Sequence, residues 1–263
     1  MSDEAVLLDV EDEIATITLN KPDMRNALTG DISGGIVDAL EEIEDTDARC
    51  VVIEGAGDAF SAGGDINSMM EGLAGETEPH EKVEVVEDTG RALQRVYEFP
   101  LPVVAKIDGT AFGAGANLAI ACDTQIASER SKISFGFRQV GLAVDSGTSY
   151  FLPRIVGENK AKELVFTGEL VDADEAHSLG IFTQVYDDDE FEAQAESYVD
   201  RIATGPTIAL QTSKRLIRQG LQSDIDQAMT NEAAGQTAVF ATHDHEEGAT
   251  AFMEQREAEF EGH

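Results

Sequence analysis

Ser61-Ala62-Gly63-Gly64-Asp65-Ile66 and Phe112-Gly113-Ala114-Gly115-Ala116-Asn117 are two turns of the same build. Each follows an apolar, β-branched run that reads as a strand, and each leads into a segment that reads as a helix. Small residues let backbone approach a ligand closely. A helix start adds unpaired N–H groups and the positive end of a dipole. One such turn is explained by a tight strand-to-helix connection alone. Two of them, brought together, can direct two N–H groups at one carbonyl oxygen and stabilise an oxyanion.

Outward from these turns, the pattern is mixed α/β. Val6–Val10 and Ile14–Leu19 read as a hairpin around Glu11-Asp12-Glu13. Leu28–Glu44 reads as a helix, with Ile32, Ile36, Leu40 and Ile43 at helical spacing. Cys50–Glu54 and Val103–Ile107 are short buried strands, and Gln125–Ala127 and Lys132–Phe135 are further strands. Residues 67–98 read as a loop followed by a helix, with Gly72–His80 polar and mobile and Pro100 and Pro102 ending the helix. From about residue 155 the chain reads as mostly helical. Asp172 and Glu175 suit a capped helix start, Pro206 opens another, and Ser223 with Asp226 caps a third. The strand pairs predict ββα units rather than simple βαβ ones, over a core at 1–200 with a helical region at 201–263.

Composition narrows the function classes. The chain has 263 residues and 42% hydrophobic content, enough for a sizeable core. It has no apolar run of about 18 residues, so no membrane span is expected. The acidic start lacks the basic region of a signal peptide, and Cys50 and Cys122 lie in apolar segments as buried thiols, which fits a reducing cytoplasm. Asp and Glu number 52 against 18 Lys and Arg, a net charge of −34. Nucleic acid and anionic membrane are excluded as expected partners, because both call for a basic surface. The acid is spread along the whole chain, as in a halophile's cytoplasmic protein whose self-repulsion is screened by molar salt.

Other chemistries fit poorly. Gly113-Ala114-Gly115 has Leu118 where a dinucleotide fingerprint needs a third small residue. No Gly-Lys-Ser/Thr follows a Gly-rich loop, and Ser61-Ala62-Gly63 is not a nucleophile elbow. His243-Asp244-His245 sits in a polar helical stretch with its two imidazoles on different faces, so no metal site is expected there.

Asn20-Lys21-Pro22-Asp23-Met24-Arg25-Asn26-Ala27-Leu28, Val51 to Ile66, Pro102 to Asp123, Phe135 to Gly157 and the ending Glu247 to Arg256 together resemble the crotonase (enoyl-CoA hydratase/isomerase) superfamily, in order and at family spacing. The resemblance implies an α/β crotonase-like ββα superhelix with a C-terminal helical trimerisation region, assembled as a homo-trimer or hexamer. It implies an acyl-CoA thioester as substrate, with coenzyme A as part of that substrate and no separate cofactor. The family's two oxyanion N–H groups map onto Gly64 and Ala114, and its CoA-binding positions onto Arg25, Ala62, Asp65 and Ile66. A lysine that reaches CoA in relatives has Gln255, beside Arg256, near its place.

The same resemblance bears on the reaction. Hydratases of the family use two glutamates, and here those positions hold Asn117 and Gln139, amides that cannot act as bases near neutral pH. One carboxylate remains. Gly141-Leu142-Ala143-Val144-Asp145-Ser146-Gly147 resembles a segment of isomerase-like members, including epoxyphenylacetyl-CoA isomerases, in which the matching Asp is the candidate acid/base. Burial beside Leu142 and Val144 is expected to raise its pKa. Asp145 also suits the cap of a helix beginning at Ser146. Enoyl-CoA isomerisation is the preferred reading, beside enoyl-CoA hydration and a CoA-binding scaffold without chemistry. The charge yields a first prediction: the Tm rises from dilute buffer to multimolar KCl, and an unchanged Tm in thermal melts contradicts the salt-adapted reading.

Overall fold

The computed structural model describes residues 4–65 and 79–263. Its first unit is the expected hairpin. Strands β1 (Val6–Glu11) and β2 (Ile14–Leu19) pair antiparallel with Val6 opposite Leu19, and Asp12 and Glu13 take left-handed φ values of 50° and 63° at the turn. Alternation along β2 buries Ala15, Ile17 and Leu19 completely. Helix α1 (Gly30–Ile43) starts at Thr29, whose hydroxyl accepts the Ile32 N–H at 3.4 Å, and packs Ile32, Ile36, Leu40 and Ile43 on the core.

The unit then recurs as strand, short strand, helix: β3 (Cys50–Gly55), β4 (Ala59–Ser61) and α2 (Pro79–Glu98); β5 (Val103–Ile107), β6 (Thr110–Phe112) and α3 (Ala114–Ala121); β7 (Thr124–Ser128), β8 (Lys132–Ser134) and α4 (Thr148–Thr167). The longer strand of each unit joins one sheet and the shorter strand joins another. With β9 (Val171–Asp172) and β10 (Gln184–Tyr186), the sheets run β1-β2-β3-β5-β7-β10 and β4-β6-β8-β9. The pairs β3–β5, β5–β7, β4–β6 and β6–β8 are all parallel. A backbone that advances one strand per unit in both sheets stacks the turns after β4 and β6 side by side.

Period-two alternation divides the core. Val51 and Ile53 face the main cluster with Phe60, Val103 and Leu118. Cys50 and Val52 face the other way, under α6 (Phe191–Ala203), against Phe191, Ala195 and Val199. Both cysteines are free and buried, and burial pushes the Cys50 thiol up to about 12 and the Cys122 thiol up as well. The chain continues through α5 (Ala173–Ser178), capped by the Asp172 carboxylate, and then α7 (Thr207–Gly220), α8 (Ile225–Val239) and α9 (His243–Glu254). Buried Arg49 fastens these last helices to the sheet: it donates to Thr207 Oγ1 (2.9 Å), Gly205 O (2.7 Å), Glu13 Oε2 (3.1 Å) and Phe260 O (3.2 Å).

Several local expectations change. The short strands β4, β6, β9 and β10 stand where no strand was expected. Asp224, not Ser223, caps α8, accepting the Gln227 N–H at 2.9 Å. The helix expected at Leu28–Glu44 begins two residues later because Thr29 supplies its cap. Among the described residues no helix is long and apolar enough to cross a membrane. The expected mobile stretch at residues 72–80 lies largely outside the described residues.

Candidate active site

Strands β4 and β6 pair in parallel, with Ser61 opposite Ala111, so the two glycine-rich turns leave the second sheet together. The first is held from below by Asn26, which is fully buried and left-handed at φ 54°. Its amide nitrogen donates to Ala56 O (2.9 Å) and Ala59 O (2.8 Å), and its amide oxygen accepts the Lys21 N–H (3.0 Å). Ser61 Oγ donates to Asn26 O at 2.8 Å and accepts the Gly63 N–H at 3.2 Å. Ala62 N–H donates to Arg25 O (2.8 Å) and Gly63 O accepts the Leu28 N–H (2.7 Å). These bonds set Arg25 and Ala62 side by side, with half-buried Gly64 and Asp65 following in the chain. Ile66 lies outside the described residues.

The second turn meets the first without intervening side chains. Gly63 has φ 81°, and a Cβ there would lie 2.3 Å from Phe112 O and 3.1 Å from Ala114 N. A Cβ on Gly115 would lie 2.6 Å from Ser61 O and Oγ. Glycine is required at both positions because backbone touches backbone. Ala114 is the first residue of α3 and is buried, so its N–H is one of those that a helix start leaves without an intrahelical acceptor. Among the described residues Gly64 N–H donates to no backbone acceptor. Two such donors beside a helix N-terminus stabilise negative charge that develops on an oxygen placed between them.

One helical turn along α3 from Ala114, Asn117 reaches the segment that carries Asp145. It is fully buried, donates from Nδ2 to Asp145 O at 2.9 Å, and accepts from Thr148 Oγ1 at 2.9 Å. Thr148 Oγ1 also lies 3.0 Å from Asp145 O. The Asp145 backbone is thereby clamped to α3, a role for Asn117 and Thr148 that the sequence did not disclose. The capping expectation for Asp145 is corrected: α4 begins at Thr148 behind Gly147 with no side-chain cap, because Ser146 (φ 45°) and Gly147 (φ 89°) turn the chain left-handed after Asp145. Its carboxyl is half-buried, and burial raises its pKa while a hydrogen bond from Ser146 pulls it back. Leu142, expected to contribute to that burial, is 48% exposed. Gln139 is exposed and donates to Gly168 O at 2.8 Å.

Beyond Ser146 and Gly147 opens a cavity of about 800 Å³ between α2, the start of α4 and α7. Tyr97, Tyr150 and Phe151 form an edge-to-face aromatic wall on it, with the two phenol oxygens 3.4 Å apart. Arg218 lies 4.4 Å over the Tyr97 ring and donates to Tyr97 O. Arg256 is committed elsewhere, forking onto Glu247 at 2.6 and 2.8 Å and holding that carboxyl well below the usual range.

A profile of the enoyl-CoA hydratase/isomerase family matches residues 9–263. The chain belongs to the enoyl-CoA hydratase/isomerase family. Among its relatives, a crotonyl-CoA hydratase of Syntrophomonas wolfei is 36% identical, with 99% of each chain covered. A 1,2-epoxyphenylacetyl-CoA isomerase of Escherichia coli is 31% identical over 98% of this chain and 99% of its own. The crystal structure of an enoyl-CoA hydratase from Bacillus anthracis superposes with a TM-score of 0.92 at 28% identity, covering 98% of this chain and all of that one. Hydratase and isomerase relatives match over the same length, so the choice of reaction falls to individual residues. The backbone contact at Gly63 yields a prediction. Gly63→Ala forces the two turns apart and lowers turnover of an enoyl-CoA by at least about 10²-fold, the scale of losing one oxyanion donor. Steady-state kinetics of a folded variant check this, and wild-type turnover contradicts it.

Proposed function

We propose that this enzyme moves the double bond of an enoyl-CoA thioester from the β,γ to the α,β position. The thioester carbonyl oxygen sits between the N–H groups of Gly64 and Ala114. The Asp145 carboxylate takes a proton from the α-carbon, and the electron pair released passes into an enolate whose oxygen those donors hold. The carboxyl then returns its proton to the γ-carbon as the double bond forms between the α- and β-carbons, so the step consumes no water and needs no other reactant. Arg25, Ala62, Asp65 and Ile66 bind the CoA moiety. The enzyme works in the cytoplasm as a trimer or a pair of trimers. Exposed apolar side chains on and beside the C-terminal helices, among them Ile217, Ile225, Phe240, Phe252 and Met253, support such an assembly.

The observation that carries the reaction is the fate of the amide at position 117. Where hydration calls for a carboxylate that positions water, Asn117 is buried and bonded on both sides to the Asp145 segment. One carboxyl whose pKa is raised by burial suffices to shuttle a proton between two carbons. The likeness to a crotonyl-CoA hydratase favours a second reading, hydration of the α,β-enoyl thioester.

Absorbance of the conjugated thioester separates the two. Incubation with a β,γ-enoyl-CoA is expected to raise it, and Asp145→Asn to slow that rise by about 10²–10⁴-fold, the usual contribution of a general acid–base group. Asp145 works as a base only when ionised. Because burial raises its pKa, the acid limb of the rate profile falls at a pH above the ordinary aspartate range and disappears in the variant. Full turnover by Asp145→Asn, or loss of absorbance from an α,β-enoyl-CoA with none gained from the β,γ isomer, overturns the isomerase reading.

A further inference from the structure

We propose that His243, Glu261 and His263 form a binding site for a divalent transition-metal ion, apart from the acyl-CoA chemistry. One ligand atom from each residue lies within 4.8 Å of the others. The two imidazoles stack with centroids 5.3 Å apart and planes 18° from parallel. His263 Nδ1 lies 3.3 Å from Glu261 O, so the tautomer that donates Nδ1–H to this carbonyl is the one that offers Nε2 to an ion. That Nε2 faces Glu261 Oε2 at 3.7 Å. A ring N–H donated to a backbone carbonyl is the outer-shell arrangement that metal-binding histidines use.

The frame that carries these side chains is rigid although the side chains themselves are exposed. Asp244 is 3% exposed and accepts the N–H groups of Glu261 (2.8 Å) and Gly262 (3.0 Å), while its own N–H donates to His263 O (3.1 Å). Arg49 donates to Phe260 O, and a Cβ on Gly262 would lie 3.1 Å from Arg49 Nε and Thr207 Oγ1. The segment after α9 is therefore pinned to the helix start by a buried carboxylate and to the sheet by a buried guanidinium. A shared ion would draw the three ligand atoms in from within 4.8 Å of one another to bonds of about 2.0–2.2 Å. Two imidazole nitrogens and one carboxylate oxygen suit Zn²⁺, Ni²⁺ or Cu²⁺, with water completing the shell, and not Mg²⁺ or Ca²⁺, which take oxygen ligands. The motif His243-Asp244-His245 does not itself chelate: His245 packs on Phe240 at 5.1 Å, and the second imidazole arrives from beyond the helix. A bound ion cross-links that segment to the start of α9.

Calorimetric titration of the untagged full chain with ZnCl₂ in molar KCl tests this. A single saturable equivalent of Zn²⁺ is expected, undisturbed by excess MgCl₂. Its affinity falls at least about tenfold in His243→Ala and in His263→Ala, and Zn²⁺ raises the Tm of the wild type but not of these variants. Glu261→Gln keeps the backbone N–H that Asp244 accepts, so it tests the ligand with the frame intact, and it too is expected to weaken binding. No saturable binding, or unchanged stoichiometry and affinity in the variant lacking both histidines, overturns the proposal.

Discussion

Gly63 and Phe112 meet so closely that the site of a missing Cβ lies 2.3 Å from a carbonyl oxygen and 3.1 Å from the Ala114 nitrogen. That approach depends on β4 and β6 pairing in parallel, and the pairing depends on a ββα unit that advances both sheets by one strand at each repeat. Pairing in the second sheet holds the two turns together, and backbone contact keeps them from closing further. Donors held in this way need little reorganisation when charge develops, which is the physical basis for the proposed stabilisation of an enolate oxygen. Asn26 reinforces the geometry from the other side, fixing the strand end through three side-chain hydrogen bonds to backbone.

The second constraint is the clamp between Asn117 and the Asp145 segment. An amide can donate and accept at once, and Asn117 does both, to Asp145 O and from Thr148 Oγ1. A carboxylate in its place would face Asp145 O without a proton to offer. The amide at position 117 thus fixes the backbone that carries the Asp145 carboxyl. Burial of that acid, partial and offset by Ser146, raises its pKa in the direction a proton shuttle needs.

The long strands and α1 were legible because alternating or helically spaced apolar residues are written along enough chain to show a period. The second sheet was mostly illegible: Ala59–Ser61, Thr110–Phe112 and Val171–Asp172 are too short for any period to appear, and only Lys132–Ser134 was anticipated. Asp145 reads first as an acid and second as a cap, and the cap stayed open at the level of sequence because capping depends on the φ angles of the next two residues, which sequence does not carry. Gly64, Ala114, Arg25 and Ala62 were expected as site residues through family motifs, and the structure brings their segments together. The clamps at Asn26 and Thr148 were missed because buried polar partners lie far apart in the chain. The His243, Glu261 and His263 group escaped for the same reason, its ligands coming from two segments that only the buried Asp244 joins.

The central claim is that the two turns polarise one thioester carbonyl. Difference infrared spectroscopy of an isotope-labelled acyl-CoA carbonyl, bound to the wild-type enzyme, tests it without relying on turnover. The carbonyl stretch is expected to move to lower frequency than in water, as two directed N–H donors draw charge onto the oxygen. A bound carbonyl that absorbs at its aqueous frequency or higher contradicts the claim.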